Sequence, residues 1–141
     1  MMMLMNKIDG LEESFKSAKV VFLTTYFQGK EKSRPMINLN DSPYNVLWFP
    51  TEKGTEKVKH IKNDSRVILT FPASNKGEFF EIEGNARIED DKDKISEKWV
   101  WWYLYWRPSQ REKYWFPQGE ASEKSVIIYL TPNKSRLVKK A

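Results

Sequence analysis

Alternation of apolar and polar positions is sharpest between Gly77 and Glu89. Phe80, Ile82, Ala86 and Ile88 alternate with Glu81, Glu83, Arg87 and Glu89. A period of two predicts a strand with one buried and one polar face. Gly84 interrupts that row and predicts a bulge or bend of the kind a barrel requires. Lys19–Phe27, rich in Val, Phe, Thr and Tyr, predicts a second strand. Gln28-Gly29-Lys30 then reads as a turn, and the chain returns through Ser33–Asn40 to complete a hairpin. Val46–Phe49 is expected to be a short strand that ends at Pro50, with Thr51–Gly54 a loop. Arg66–Phe71 is another apolar strand, and Ser125–Leu130 is the last, extended to Val138 beyond Pro132.

Helical spacing is sparser. Leu11, Phe15 and Ala18 fall at i, i+4 and i+7 and make one apolar face. Thr55 is placed to N-cap a helix whose buried side is Val58 and Ile61, and Asn63-Asp64 ends it. Asp90–Leu104 also reads as helical. The sum is about six antiparallel strands in mostly consecutive order, with two or three short helices. That is too few helices for an alternating parallel sheet. The fold class predicted is mainly β: a small closed or split β-barrel with flanking α-helices, because closure removes exposed sheet edges.

Composition narrows the chemistry. A chain of 141 residues is expected to form a single domain, 1–141. Its 14% aromatic content excludes a wholly disordered chain. The absence of cysteine excludes disulfides, thiolate catalysis and Cys-ligated zinc. The one histidine, His60, leaves no His-rich metal site. The acidic run Glu89–Asp93 lacks the spacing and glycine of a calcium loop, so no metal is expected. No apolar run approaches the roughly 18 residues of a membrane-spanning helix, and Met1–Met5 is a poor signal peptide; a cytoplasmic location is expected. The net charge of +5 is distributed. Lys30-Glu31-Lys32 and Glu56-Lys57-Val58-Lys59 mix both signs and read as solvated faces, not as a nucleic-acid stripe.

The most informative stretch runs from Trp48 to Lys57: strand, loop, helix start. The first turn of a helix offers free N–H groups and the positive end of its dipole. With the hydroxyls of Thr51 and Thr55, the ammonium of Lys57 and the guanidinium of Arg34 from the preceding strand, it forms a candidate phosphate site. Spacing alone leaves a plainer alternative open, in which Thr55 is an ordinary N-cap and Lys57 a solvated residue. His60 reads as a surface residue between Lys59 and Lys62.

Several motifs in fixed order resemble a known family. Ser33-Arg34-Pro35-Met36, Leu47-Trp48-Phe49-Pro50-Thr51, Thr55-Glu56-Lys57-Val58 and Arg66-Val67-Ile68-Leu69 are similar to those of the pyridoxamine 5′-phosphate oxidase-like FMN-binding split barrels. Glu83-Gly84-Asn85-Ala86-Arg87-Ile88 and Trp115-Phe116-Pro117-Gln118-Gly119 resemble its general stress protein 26 branch. The charge distribution and the lack of a long apolar run already lead to an expectation of no nucleic-acid and no membrane partner. The resemblance implies a homodimer with FMN sites at the subunit interface. It implies that Arg34, Thr51, Thr55 and Lys57 hold the phosphate. The backbone around Arg34, Pro35 and Met36 and around Phe49 and Pro50 would border the flavin ring, and Trp115 would cover the ring or ribityl chain. It implies flavin-dependent redox chemistry on a small organic acceptor. The alternatives are a non-catalytic flavin-binding stress protein and a reductase using deazaflavin F420. Haem is disfavoured because His60 is the only histidine.

Two departures qualify the resemblance. Glu56 stands where the oxidase has a basic residue, and a carboxylate facing the phosphate would weaken binding. No Arg-rich C-terminal segment matches the one with which true oxidases hold pyridoxal phosphates, so that oxidation is not expected. The aromatic run Trp99, Trp101, Trp102, Tyr103, Tyr105 and Trp106 is expected to form a helix covered on both sides, against the barrel and a partner subunit; the alternative is a pocket or lid that stacks on flat substrates or on the flavin.

Overall fold

A computed structural model of the chain describes residues 7–95, 97 and 125–139. Its elements are α1 (Leu11–Ser17), β1 (Val20–Phe27), β2 (Lys30–Ile37), β3 (Leu47–Glu52), α2 (Glu56–Asn63), β4 (Arg66–Pro72), β5 (Glu78–Glu89) and β6 (Ser125–Lys139). The strands form one six-stranded sheet in the order β2-β1-β4-β5-β6-β3, antiparallel at every pairing. The sheet curls into the half-barrel of a split-barrel fold. Asp90 and Asp91 are not helical, and residues 92–95 and 97 are; the other residues of the predicted Asp90–Leu104 helix, 96 and 98–104, lie outside the described residues, as do the aromatic run and Trp115. Among the described residues no helix is long and apolar enough to cross a membrane.

Local chemistry explains the boundaries. Gln28 and Gly29 both have positive φ, 52° and 76°, as a two-residue hairpin turn between right-twisted strands demands. The return strand begins at Lys30 and ends at Ile37, earlier than the expected Ser33–Asn40. Asparagine side chains take over there. Asn38 Nδ2 donates to the carbonyls of Phe15 and Ala18, closing the end of α1. Asn40 pairs through its side chain with both backbone groups of Trp48. Strand β3 does not stop at Pro50; it runs on to Glu52, with Pro50 opposite Ile127. An edge strand pairs on one side only and so accommodates proline. Pro35 lies in the other edge strand, Pro72 at the end of β4, and Pro132 at a bulge. These four prolines thus fall where no central ladder is broken.

The core sits on the concave side. Leu11, Phe15, Val21, Leu23, Leu47, Phe49, Leu69, Ile82, Ile128 and Leu130 are completely buried. Phe15 of α1 meets Phe71 of β4 edge to face at 5.4 Å. Helix α2 packs on β1 and β5.

The bulge predicted at Gly84 is present: the β5–β6 register shifts between Glu83 and Gly84, leaving Asn133 as the extra residue on β6. A side chain at 84 would come within 2.8 Å of Leu130 Cδ2 and closer still to the Thr131 carbonyl oxygen. The backbones approach closely there because residue 84 has no Cβ. Gly84→Ala is therefore expected to lower the unfolding free energy by about 1–3 kcal/mol, the usual result of overpacking. An unchanged urea midpoint would show that the bulge has room to spare.

Candidate functional site

Register decides which side chains face inward. Val21, Leu23 and Thr25 of β1 are all fully buried, and they stand opposite Met36, Arg34 and Lys32 of β2. Residues directly opposite on antiparallel strands share a face. Arg34 is therefore carried to the concave side on an edge strand, whereas Pro35 faces outward beside Phe22.

Arg34 meets a buried polar chain. Its Nη1 donates to Thr25 Oγ1 at 2.7 Å, and Thr25 Oγ1 lies 2.8 Å from His60 Nδ1. The His60 ring stacks on Phe27, with centroids 4.8 Å apart and planes 9° from parallel. His60 is 8% exposed, so the expectation of a surface residue is corrected: α2 packs on β1 and turns His60 inward with Val58 and Ile61. Arg34 Nη2 is shut off from solvent with no hydrogen-bond partner among the described residues. Burial lowers the basicity of Arg34, and Glu56 opposes that effect.

Lys57 is half-buried in the first turn of α2. Burial lowers its basicity first, the charge of Arg34 adds to this, and Glu52 acts against it. Two cations held within electrostatic reach, one with an unused buried N–H, are unfavourable alone and favourable around an anion. Glu56 forms an ion pair with Lys32 on the surface and stands in the first turn of α2, where the helix dipole favours an acid. Its carboxylate is held below its usual range, chiefly by Lys32.

The other predicted residues are placed as follows. Thr55 has the extended backbone of an N-cap, but its hydroxyl donates to the Glu52 carbonyl at 2.9 Å instead of capping α2. Thr51 is half-buried in β3 opposite Val126. Met36 and Phe49 belong to the core, so only their backbone faces the sheet edges. Pro50 is half-buried on β3. The structure thus brings Arg34 and Lys57 together and adds Thr25 and His60, which sequence reading missed. The available signal was Thr25 itself, a polar residue in the inward row Val21, Leu23, Thr25. Among the described residues no three His, Asp or Glu side chains cluster as a metal site would need.

Burial, then the Arg34 charge, hold His60 below its ordinary value of 6.5. The unfolded chain then binds the proton more readily than the folded one. The stability contributed by the neutral ring is complete above about pH 6.5 and is lost as pH falls from there towards the lowered value. Urea unfolding from about pH 7.5 to about pH 5 should show a steeper acid loss in the wild type than in His60→Asn. Parallel losses would mean that the ring titrates as freely folded as unfolded.

Solved structures share this architecture. General stress protein 26 from Bacillus anthracis str. Sterne is 22% identical with a TM-score of 0.63, covering 91% of this chain and 93% of that one. A pyridoxamine 5′-phosphate oxidase-related, FMN binding protein from Nostoc punctiforme PCC 73102 is 14% identical with a TM-score of 0.68, covering 90% and 78%. An F420 reductase is 20% identical with a TM-score of 0.65, covering 92% and 98%. At these identities the likeness is one of fold. No curated protein matches the chain. A family model described as pyridoxamine 5′-phosphate oxidase like matches residues 6–139, and the chain belongs to that family.

Proposed function

We propose that this chain is a cytoplasmic homodimeric flavoprotein that binds FMN and serves as a flavin-dependent oxidoreductase on a small organic acceptor. The observation that carries the reading is the unpartnered Nη2 of Arg34 beside half-buried Lys57 at the start of α2. A terminal phosphate fits this donor set. Arg34 and Lys57 would give it charge-assisted hydrogen bonds, and Thr51, Thr55 and the α2 N-terminus would add neutral donors. Strands β2 and β3 are the sheet edges, so main-chain N–H and C=O groups around Pro35, Met36, Phe49 and Pro50 are available to the polar rim of a flavin. FMN supplies hydride and electron transfer when bound; the chain's own residues bind and orient it.

The dimer has support on the convex side. Val20, Phe22 and Ile37 are 45%, 45% and 43% exposed, and Pro35 lies among them on the same face of the β1–β2 hairpin. Such a patch is characteristic of an interaction surface. Phe22→Glu is expected to convert a dimer to a monomer in sedimentation equilibrium. A wild type that sediments as a monomer would refute the dimer.

The cofactor is tested by purifying the protein without additions and recording its visible spectrum and the mass of any released ligand. FMN is expected; release of F420 would replace it with the deazaflavin reading. If the protein emerges colourless, titration with FMN decides, and no binding refutes the proposal. Lys57→Ala should weaken FMN binding by about 1–3 kcal/mol, the loss of one charge-assisted contact. Unchanged affinity would remove Lys57 from the site. Turnover of NAD(P)H with a quinone or nitro acceptor separates an enzyme from a flavin binder.

A further inference from the structure

Resting on the reading of Arg34 as a phosphate ligand, we propose that Thr25 and His60 are positioning residues that aim the Arg34 guanidinium, leaving its Nη2 presented to the phosphate. Arginine binds oxyanions well because its planar fork arrives oriented, and a long side chain on an edge strand has many rotamers to lose. Here Nη1 is already anchored on Thr25, a fully buried residue, which fixes the plane in which Nη2 points.

The direction of the first hydrogen bond follows from its donor: a guanidinium only donates, so Thr25 Oγ1 accepts from Arg34. A hydroxyl oxygen can accept twice, so the second bond has two allowed directions; the arrangement proposed directs the Thr25 proton to His60 Nδ1, 2.8 Å away, with the ring neutral and its own proton on Nε2. Stacking on Phe27 and burial in the α2–β1 packing hold that ring in place. The charged groups acting on it are Arg34 and Lys32 from β2 and Glu56 and Lys59 from α2. Three elements thus contribute one directed chain, from Arg34 to Thr25 to His60.

Riboflavin shares the ring and ribityl chain of FMN but lacks the phosphate. Titration of each variant with FMN and with riboflavin, followed by flavin fluorescence, therefore separates aiming from folding. The wild type should strongly prefer FMN, and Arg34→Gln should lose that preference. If either fails, the phosphate reading of Arg34 falls and this inference falls with it. Thr25→Val and His60→Leu should each weaken FMN about tenfold, the size of one hydrogen bond to a charged partner, with riboflavin unchanged. Thr25→Ser and His60→Asn, which keep the hydroxyl and an acceptor, should stay within about threefold of the wild type. If Arg34→Gln loses the preference while Thr25→Val and His60→Leu keep it, Arg34 stands and the positioning role is refuted. Parallel weakening of both ligands also refutes it, since it marks a purely structural contribution. A second readout needs no substitution that risks folding. His60 is the only histidine, so its imidazole nitrogen resonances are unambiguous. They should report Nδ1 as the unprotonated acceptor near neutral pH; a protonated Nδ1 would overturn the directed chain.

Discussion

Arg34 is a permanent charge carried to the concave side of a small barrel, and much of the surrounding structure answers to it. Removing an ion from water costs several kcal/mol unless partners replace the lost hydration. One partner is Thr25, which takes Nη1. His60 Nδ1 lies 2.8 Å from the same hydroxyl, which is thus hydrogen-bonded on both sides. Glu56 offsets part of the charge from the surface, where its pairing with Lys32 contributes little to stability because both are exposed. What stays uncompensated is Nη2, together with the repulsion between Arg34 and Lys57. An anion resolves both at once.

The fold makes such a position available. In an antiparallel half-barrel the two edges keep free main-chain groups, and here they are β2 and β3. Arg34 rides on one edge, while the other leads through Thr51 and Thr55 into α2. The helix closes over β1 and brings Lys57 and His60 to the same corner. The bulge at Gly84 bends the long β5–β6 pair, and the register puts Gly84 opposite Val67, the β4 neighbour of Thr25.

The sequence made some of this readable and hid the rest for identifiable reasons. The alternation from Phe80 to Ile88 located β5, and Gly84 marked its bulge, because both signals are local. Thr55, Val58 and Ile61 located α2 in the same way. The extension of β3 past Pro50 was not readable, because tolerance of proline depends on a strand lying at an edge, which is a property of the whole sheet. His60 was misread for a related reason. Flanking lysines describe a solvated helix face, but the helix turns residue 60 towards β1, and only the packing reveals it. Thr25 matters because it joins Arg34 to His60, and its contact with His60, 35 residues on, is set by the packing of α2 on β1 and not by any local pattern.

The most direct test is a crystal structure of the protein with FMN. The phosphate is predicted within hydrogen-bond distance of Arg34 Nη2 and close to the Lys57 ammonium, with Thr25 and His60 in the contacts described above. A phosphate bound away from Arg34, with Nη2 still unpartnered, would contradict the account at its centre.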